Sequence, residues 1–94
     1  MSKVEQHAKV CKELNELYSR KNSDYGDSFG KSYEEFGPVM AEIRMGDKLN
    51  RYKALIKGRQ QVNDESVRDT LIDLANYAVM TVVEMDLQAK GGET

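Results

Sequence analysis

Apolar positions recur every three or four residues along most of the chain, and that spacing predicts helices rather than strands. Over residues 3–20, Val4, Ala8, Cys11, Leu14, Leu17 and Tyr18 form one stripe with charged residues between them. A second helix is expected over 38–57. It follows Gly37-Pro38, where proline suits a first helical turn, and Met45, Leu49, Tyr52 and Ile56 repeat along it at helical spacing before Gly58 offers a stop. A third is expected over 64–89. Asn63 and Asp64 are good N-caps, Glu65 sits at the positive end of the helix dipole, and Gly91-Gly92 closes it. A helix of about 25 residues is about 37 Å long, more than the width of so small a domain. Its second half is apolar almost all round, through Ala78, Val79, Met80, Val82, Val83, Met85 and Leu87. A helix apolar on every side wants cover on every side, and two partner helices supply too little. Met80, Val83 and Leu87 are therefore candidates for contact with another copy of the chain.

Between the first two helices, residues 21–37 carry three glycines, three serines and four aromatics. Disordered segments are poor in aromatics, so this stretch reads as an ordered loop, with one helical turn available over Tyr33–Phe36. The fold class that follows is all-α: three main helices with a long ordered loop between the first and second, in an oligomer.

Ninety-four residues make one small domain. The net charge of −2 argues against general nucleic-acid binding. A single cysteine excludes an internal disulfide, and the place of Cys11 on an apolar stripe predicts a buried thiol. No signal peptide or membrane-length apolar run is visible, so a soluble, cytoplasmic protein is expected. The one histidine, His7, reads as a surface residue, and neither a Cys/His zinc pattern nor a glycine-rich phosphate loop is present.

Three groups of residues carry candidate chemistry. The third helix stacks Glu65, Asp69 and Asp73 at i, i+4 and i+8, and like charges at that spacing repel by about 0.2–0.5 kcal/mol per pair. Basic partners, a divalent cation or a ligand rich in donors must offset this. The second helix offers Arg44, Asp47, Lys48 and Arg51 on one polar face. One arrangement pairs Arg44, Lys48 and Arg51 with Glu65, Asp69 and Asp73 as an ion-pair lattice; another places phosphate or metal among them. With Asp47, the carboxylates Glu65, Asp69 and Asp73 form a candidate magnesium set, since magnesium needs only a few carboxylates beside substrate phosphates. Gly46, in mid-helix, costs about 1 kcal/mol relative to alanine, which points to a close neighbour there. In the loop, Tyr25 can stack on a base, Ser28 offers a hydroxyl and Lys21 can meet a phosphate. Asn76, beside Tyr77, offers an amide that can read a base edge. Phe29 and Phe36 read as plugs for the helix bundle.

Three motifs together resemble the nucleotide modification associated domain family, small all-helical proteins common in phages and prophages. They are Asp24-Tyr25-Gly26-Asp27-Ser28-Phe29, the Arg44-x-x-Asp47-Lys48-x-x-Arg51 run, and Glu65-Ser66-x-x-Asp69-Thr70-Leu71-x-Asp73-Leu74-Ala75-Asn76-Tyr77. The likeness covers roughly residues 15–85. That family is in turn similar to MazG-type all-alpha nucleoside triphosphate pyrophosphatases, which bind magnesium through two acidic pairs and oligomerise. The resemblance implies a MazG-like bundle. Asp73 matches an aspartate of the second acidic pair, but Thr70 stands where its glutamate partner would be, and the face of the second helix is basic. Such a face suits holding a phosphorylated ligand better than building a two-metal centre.

The expected function is non-catalytic binding of a nucleotide-type small molecule by a homo-oligomer. The resemblance implies a phage protein that sequesters a nucleotide immune signal in the cytoplasm of an infected bacterial host. The alternatives are a magnesium-dependent nucleoside triphosphate pyrophosphatase and a structural accessory protein. The residues expected to meet the ligand are Lys21, Tyr25, Ser28, Arg44, Asp47, Lys48, Arg51, Asp69, Asp73, Asn76 and Tyr77.

Overall fold

The computed structural model describes residues 1–58 and 64–92, and all of its regular structure is helical, as expected. There are four helices rather than three: α1 (Lys3–Tyr25), α2 (Ser28–Phe36), α3 (Pro38–Lys57) and α4 (Asp64–Gly92). Asn63 and the side chains of Asp64 and Glu65 lie outside the described residues, so the expected cap and the first carboxylate of the ladder are not placed.

α1 begins with a reciprocal cap. The Ser2 hydroxyl accepts from the Glu5 amide at 3.1 Å, and the Glu5 carboxylate accepts from the Ser2 amide at 3.2 Å. Hydrogen bonds to the Glu5 carboxylate, from the Ser2 amide first and then from the Ser2 side chain, hold it below its ordinary range. The helix runs past the expected end at residue 20 because its stop signal comes later. Gly26 takes the left-handed conformation at φ 63° and returns its amide to the Asn22 carbonyl. Asp27 is left-handed too, at φ 56°, and caps α2 by accepting from the Gly30 amide at 3.3 Å. Two left-handed residues in succession turn the chain sharply, and the expected 21–37 loop becomes the end of one helix, a tight turn and a second helix. Gly30 is required there, because a β-carbon on it would run into the Asp27 carboxylate that forms the cap.

α2 supplies the core. Phe29 and Tyr33 lie one turn apart on it and are buried with Met40 and Ala41 of α3, while Met45, Tyr77 and Met80 pack against them. Phe36, by contrast, is 64% exposed and plugs nothing. α3 keeps its expected bounds, with Pro38 in its first turn. Its less exposed stripe runs through Ala41, Met45, Lys48, Tyr52 and Leu55, which keeps Met45 and Tyr52 of the expected one. Leu49 and Ile56 fall to the outside, at 41% and 53% exposure. The inner face thus takes in Lys48, whose ammonium finds a carboxylate on α4.

Gly46 does not mark a close approach, since a β-carbon there would meet nothing within 4 Å. Gly46→Ala should therefore stabilise the fold by about 1 kcal/mol through helix propensity alone. In a domain this size that is roughly a 4–8 °C rise in melting temperature. A fall on thermal denaturation would mean that something does sit against this position.

α3 and α4 share the largest interface. Beyond it α4 stands clear: Val79, Val82, Val83, Met85 and Leu87 are each 41–57% exposed. Residues 3–9 of α1 are also all exposed, and no residue of that helix is buried. Cys11 is consequently exposed, not buried as its stripe implies, with its sulfur 3.7 Å from Nδ1 of the surface residue His7. These two overhangs give the molecule its 52 × 32 × 23 Å outline. No helix among the described residues is long and apolar enough to cross a membrane.

Candidate functional site

Where the core ends, the four helices leave a cavity of about 280 Å³. α1 lines it with Tyr18, Lys21, Asn22 and Tyr25, which recur at i, i+3, i+4 and i+7 and so share a face. The start of α2 adds Ser28 and Phe29, and α3 adds Arg44 and Lys48, one turn apart. α4 completes it with Asp73, Asn76, Tyr77 and Met80, again on one face. Of the residues singled out in the sequence, Lys21, Tyr25, Ser28, Arg44, Lys48, Asp73, Asn76 and Tyr77 meet here. Asp47 and Arg51 do not line the cavity, and Asp69 lies in a neighbouring groove with Glu13, Glu16 and Arg20.

The electrostatics centre on Asp73. Its Oδ2 is 3.0 Å from the Lys48 ammonium and its Oδ1 is 3.5 Å from that of Lys21, so one carboxylate joins α1, α3 and α4. Both Asp73 and Lys48 are about three-quarters withdrawn from solvent, which strengthens this pair relative to a surface one. The expected lattice of Arg44, Lys48 and Arg51 against Glu65, Asp69 and Asp73 thus shrinks, among the described residues, to the single rung Lys48–Asp73. Its second cation comes from α1 instead. Arg44 lines the cavity without an ion pair among the described residues, and so remains available to an anion.

Of the expected magnesium set, Asp47, Asp69 and Asp73 do not converge, and the Glu65 side chain lies outside the described residues. Among the described residues no three His, Cys, Asp or Glu side chains converge. Asp69 faces the groove, Asp47 lines neither space, and both oxygens of Asp73 face lysines.

The remaining walls are aromatic. The Phe29 ring lies between Tyr33 and Tyr77, with centroids 6.3 Å and 5.9 Å away and planes inclined by 21° and 26°. Asn76 is partly committed, because its Nδ2 donates to the Leu14 carbonyl at 3.2 Å and ties α4 to α1. Its amide oxygen remains an acceptor beside the cavity. A second tie lies close by: Arg68 donates to both oxygens of Glu13 at 2.6 and 2.7 Å, which lowers the Glu13 carboxyl pKa. Arg68 and Glu13 were not singled out in the sequence, because nothing local shows which charge 55 residues away will pair.

Tyr18, Asn22, Phe29 and Met80 were also missed as lining residues. Tyr18 and Asn22 share their spacing with Lys21 and Tyr25, a signal legible only once α1 is carried through to Tyr25. The Tyr18 hydroxyl pKa is raised by burial first, then by Asp27 and Glu84. Glu84 is itself raised by burial, then by Asp27 and Glu34. The cavity wall is thus cationic at Lys21, Arg44 and Lys48, against the single carboxylate of Asp73.

Comparison with curated proteins and with solved structures returns no match. A family model does match, over residues 21–85, and its description is nucleotide modification associated domain 1. The matched stretch leaves out most of α1 and the last turns of α4, yet contains every cavity-lining residue except Tyr18. With that match over more than half of its length, the chain belongs to the nucleotide modification associated domain 1 family.

Proposed function

We propose that the chain binds a phosphorylated nucleotide and holds it unconverted. One observation carries this reading: Lys21, Arg44 and Lys48, from two helices, converge with aromatic rings on one cavity that contains a single carboxylate. Lysine ammoniums and an arginine fork bind phosphate oxygens, and tyrosine rings offer a base a stacking surface. The ionisable groups that would activate a nucleophile are poorly placed for it, since Asp73 is shared between two lysines and His7 lies on the α1 overhang. The family description adds a link to nucleotides. Sequestration of a nucleotide immune signal by a phage protein is the use we propose for such a site, and a MazG-like bundle of several copies is the assembly.

The assembly is supported by the uncovered apolar half of α4, which a second copy would cover. The direct test is a thermal-shift panel of linear and cyclic nucleotides, with the bound species recovered by mass spectrometry. The expected outcome is stabilisation by about 2.7 kcal/mol at a hundredfold excess over Kd, retention in EDTA and recovery of unaltered ligand. Magnesium-dependent release of pyrophosphate would replace this reading with the pyrophosphatase one. No shift with any nucleotide would leave the accessory-protein reading. Light scattering on the same samples reports the assembly, which a mass of 10.7 kDa, that of one chain, would overturn.

A further inference from the structure

We propose that the cavity takes a nucleoside monophosphate, and that the ligand's phosphate takes over the two lysines that Asp73 otherwise holds. The inference rests on the nucleotide-binding reading above and adds the phosphorylation state and the role of Asp73. The cavity holds three cations against one carboxylate, leaving two positive charges. A phosphate monoester carries about −1.5 to −2 at neutral pH, so one such group balances the site. A triphosphate brings more negative charge than these three cations can meet.

The geometry fits the same choice. Lys21 and Lys48 approach different oxygens of Asp73, at 3.5 and 3.0 Å. Two ammoniums on two oxygens of one anion is an arrangement a phosphate can reproduce. Arg44, one turn before Lys48 on α3, adds a fork that Asp73 leaves unused. Size points the same way. At about 280 Å³ the space falls just below the usual range of ligand pockets, roughly 300–1,000 Å³, which suits one nucleoside with one phosphate better than a dinucleotide. In this account Asp73 is a tethered competitor. It keeps the lysines converged, and it lowers the affinity for any anion that must displace it.

Removing its charge should therefore tighten binding, the opposite of what a metal ligand or a direct base contact would do. The experiment is calorimetric titration of the full chain and of Asp73→Asn. The probes are the adenosine, guanosine, cytidine and uridine 5′-monophosphates, each beside its nucleoside and triphosphate, together with cyclic di-AMP and cyclic di-GMP. At least one monophosphate should bind the unaltered chain more tightly than its triphosphate and nucleoside, with one site per chain. Asp73→Asn should bind that monophosphate about five- to tenfold more tightly, the worth of one unit charge at about 4 Å in water.

Unchanged or weaker binding by Asp73→Asn overturns the role of Asp73. Tighter binding of a triphosphate or a cyclic dinucleotide by the unaltered chain overturns the monophosphate assignment and leaves the nucleotide-binding reading standing. Failure of the unaltered chain to bind any of these probes removes both. The ranking measured on the unaltered chain decides the ligand class even where Asp73→Asn fails to fold, which circular dichroism reports.

Discussion

Arg44→Glu should weaken nucleotide binding about a hundredfold while moving the melting temperature by only about 2–4 °C. Arg44 lines the cavity, is exposed, and has no ion pair among the described residues. Replacing it disturbs no internal contact, and surface changes of that kind usually stay within about 0.5 kcal/mol. In a domain this small that is about 2–4 °C. In the site the change is large. A charge-assisted hydrogen bond contributes about 1.5–3 kcal/mol, and a carboxylate in its place repels phosphate as well. A hundredfold loss corresponds to about 2.7 kcal/mol. Calorimetry with the best-binding nucleotide, paired with thermal denaturation, separates the two effects. Undiminished binding would show that Arg44 does not meet the ligand. A collapsed melting temperature would show that it holds the fold instead.

Phe29→Ala should cost about 3–5 kcal/mol, the range for deleting a buried aromatic ring. Phe29 is only 6% exposed, is flanked by Tyr33 and Tyr77, and joins the core that also holds Met40 and Ala41. A chain of this length has about 5–14 kcal/mol to lose, so the melting temperature should fall by at least about 12 °C. Phe29 also lines the cavity, so ligand binding should fail with the fold. A melting temperature within a few degrees of the unaltered chain would mean that α2 does not dock through this ring. Phe36→Ala is the internal control, because that ring is mostly in solvent and its loss should cost little.

The different roles of two neighbouring phenylalanines show where the sequence stops being legible. The start of α3 is written locally in Gly37-Pro38, and its end in Gly58, so its bounds can be read from the chain. The end of α1 is not. Asn22, Ser23 and Asp24 are weak helix formers, and the preference for a loop there is overridden by a real stop at Gly26. Reading a loop hid α2, although Phe29, Tyr33 and Phe36 stand in it at i, i+4 and i+7. Cys11 fails for the opposite reason. Its stripe is genuine, but a stripe says which face would be buried and not whether anything is there to bury it. The acidic ladder was legible as a strain needing relief. Lys48 was among the expected sources of that relief, whereas the second, Lys21 on α1, depends on a crossing between helices 52 residues apart, which no local spacing encodes.

α1 is fastened to α4 near its middle, by Glu13–Arg68 and by the Leu14 carbonyl to Asn76. From Leu14 the helix extends about 15 Å to Val4 and about 17 Å to Tyr25, at 1.5 Å per residue. The second arm is held again at Lys21–Asp73, whereas residues 3–9 of the first arm are all exposed, so that arm projects from its ties as a cantilever.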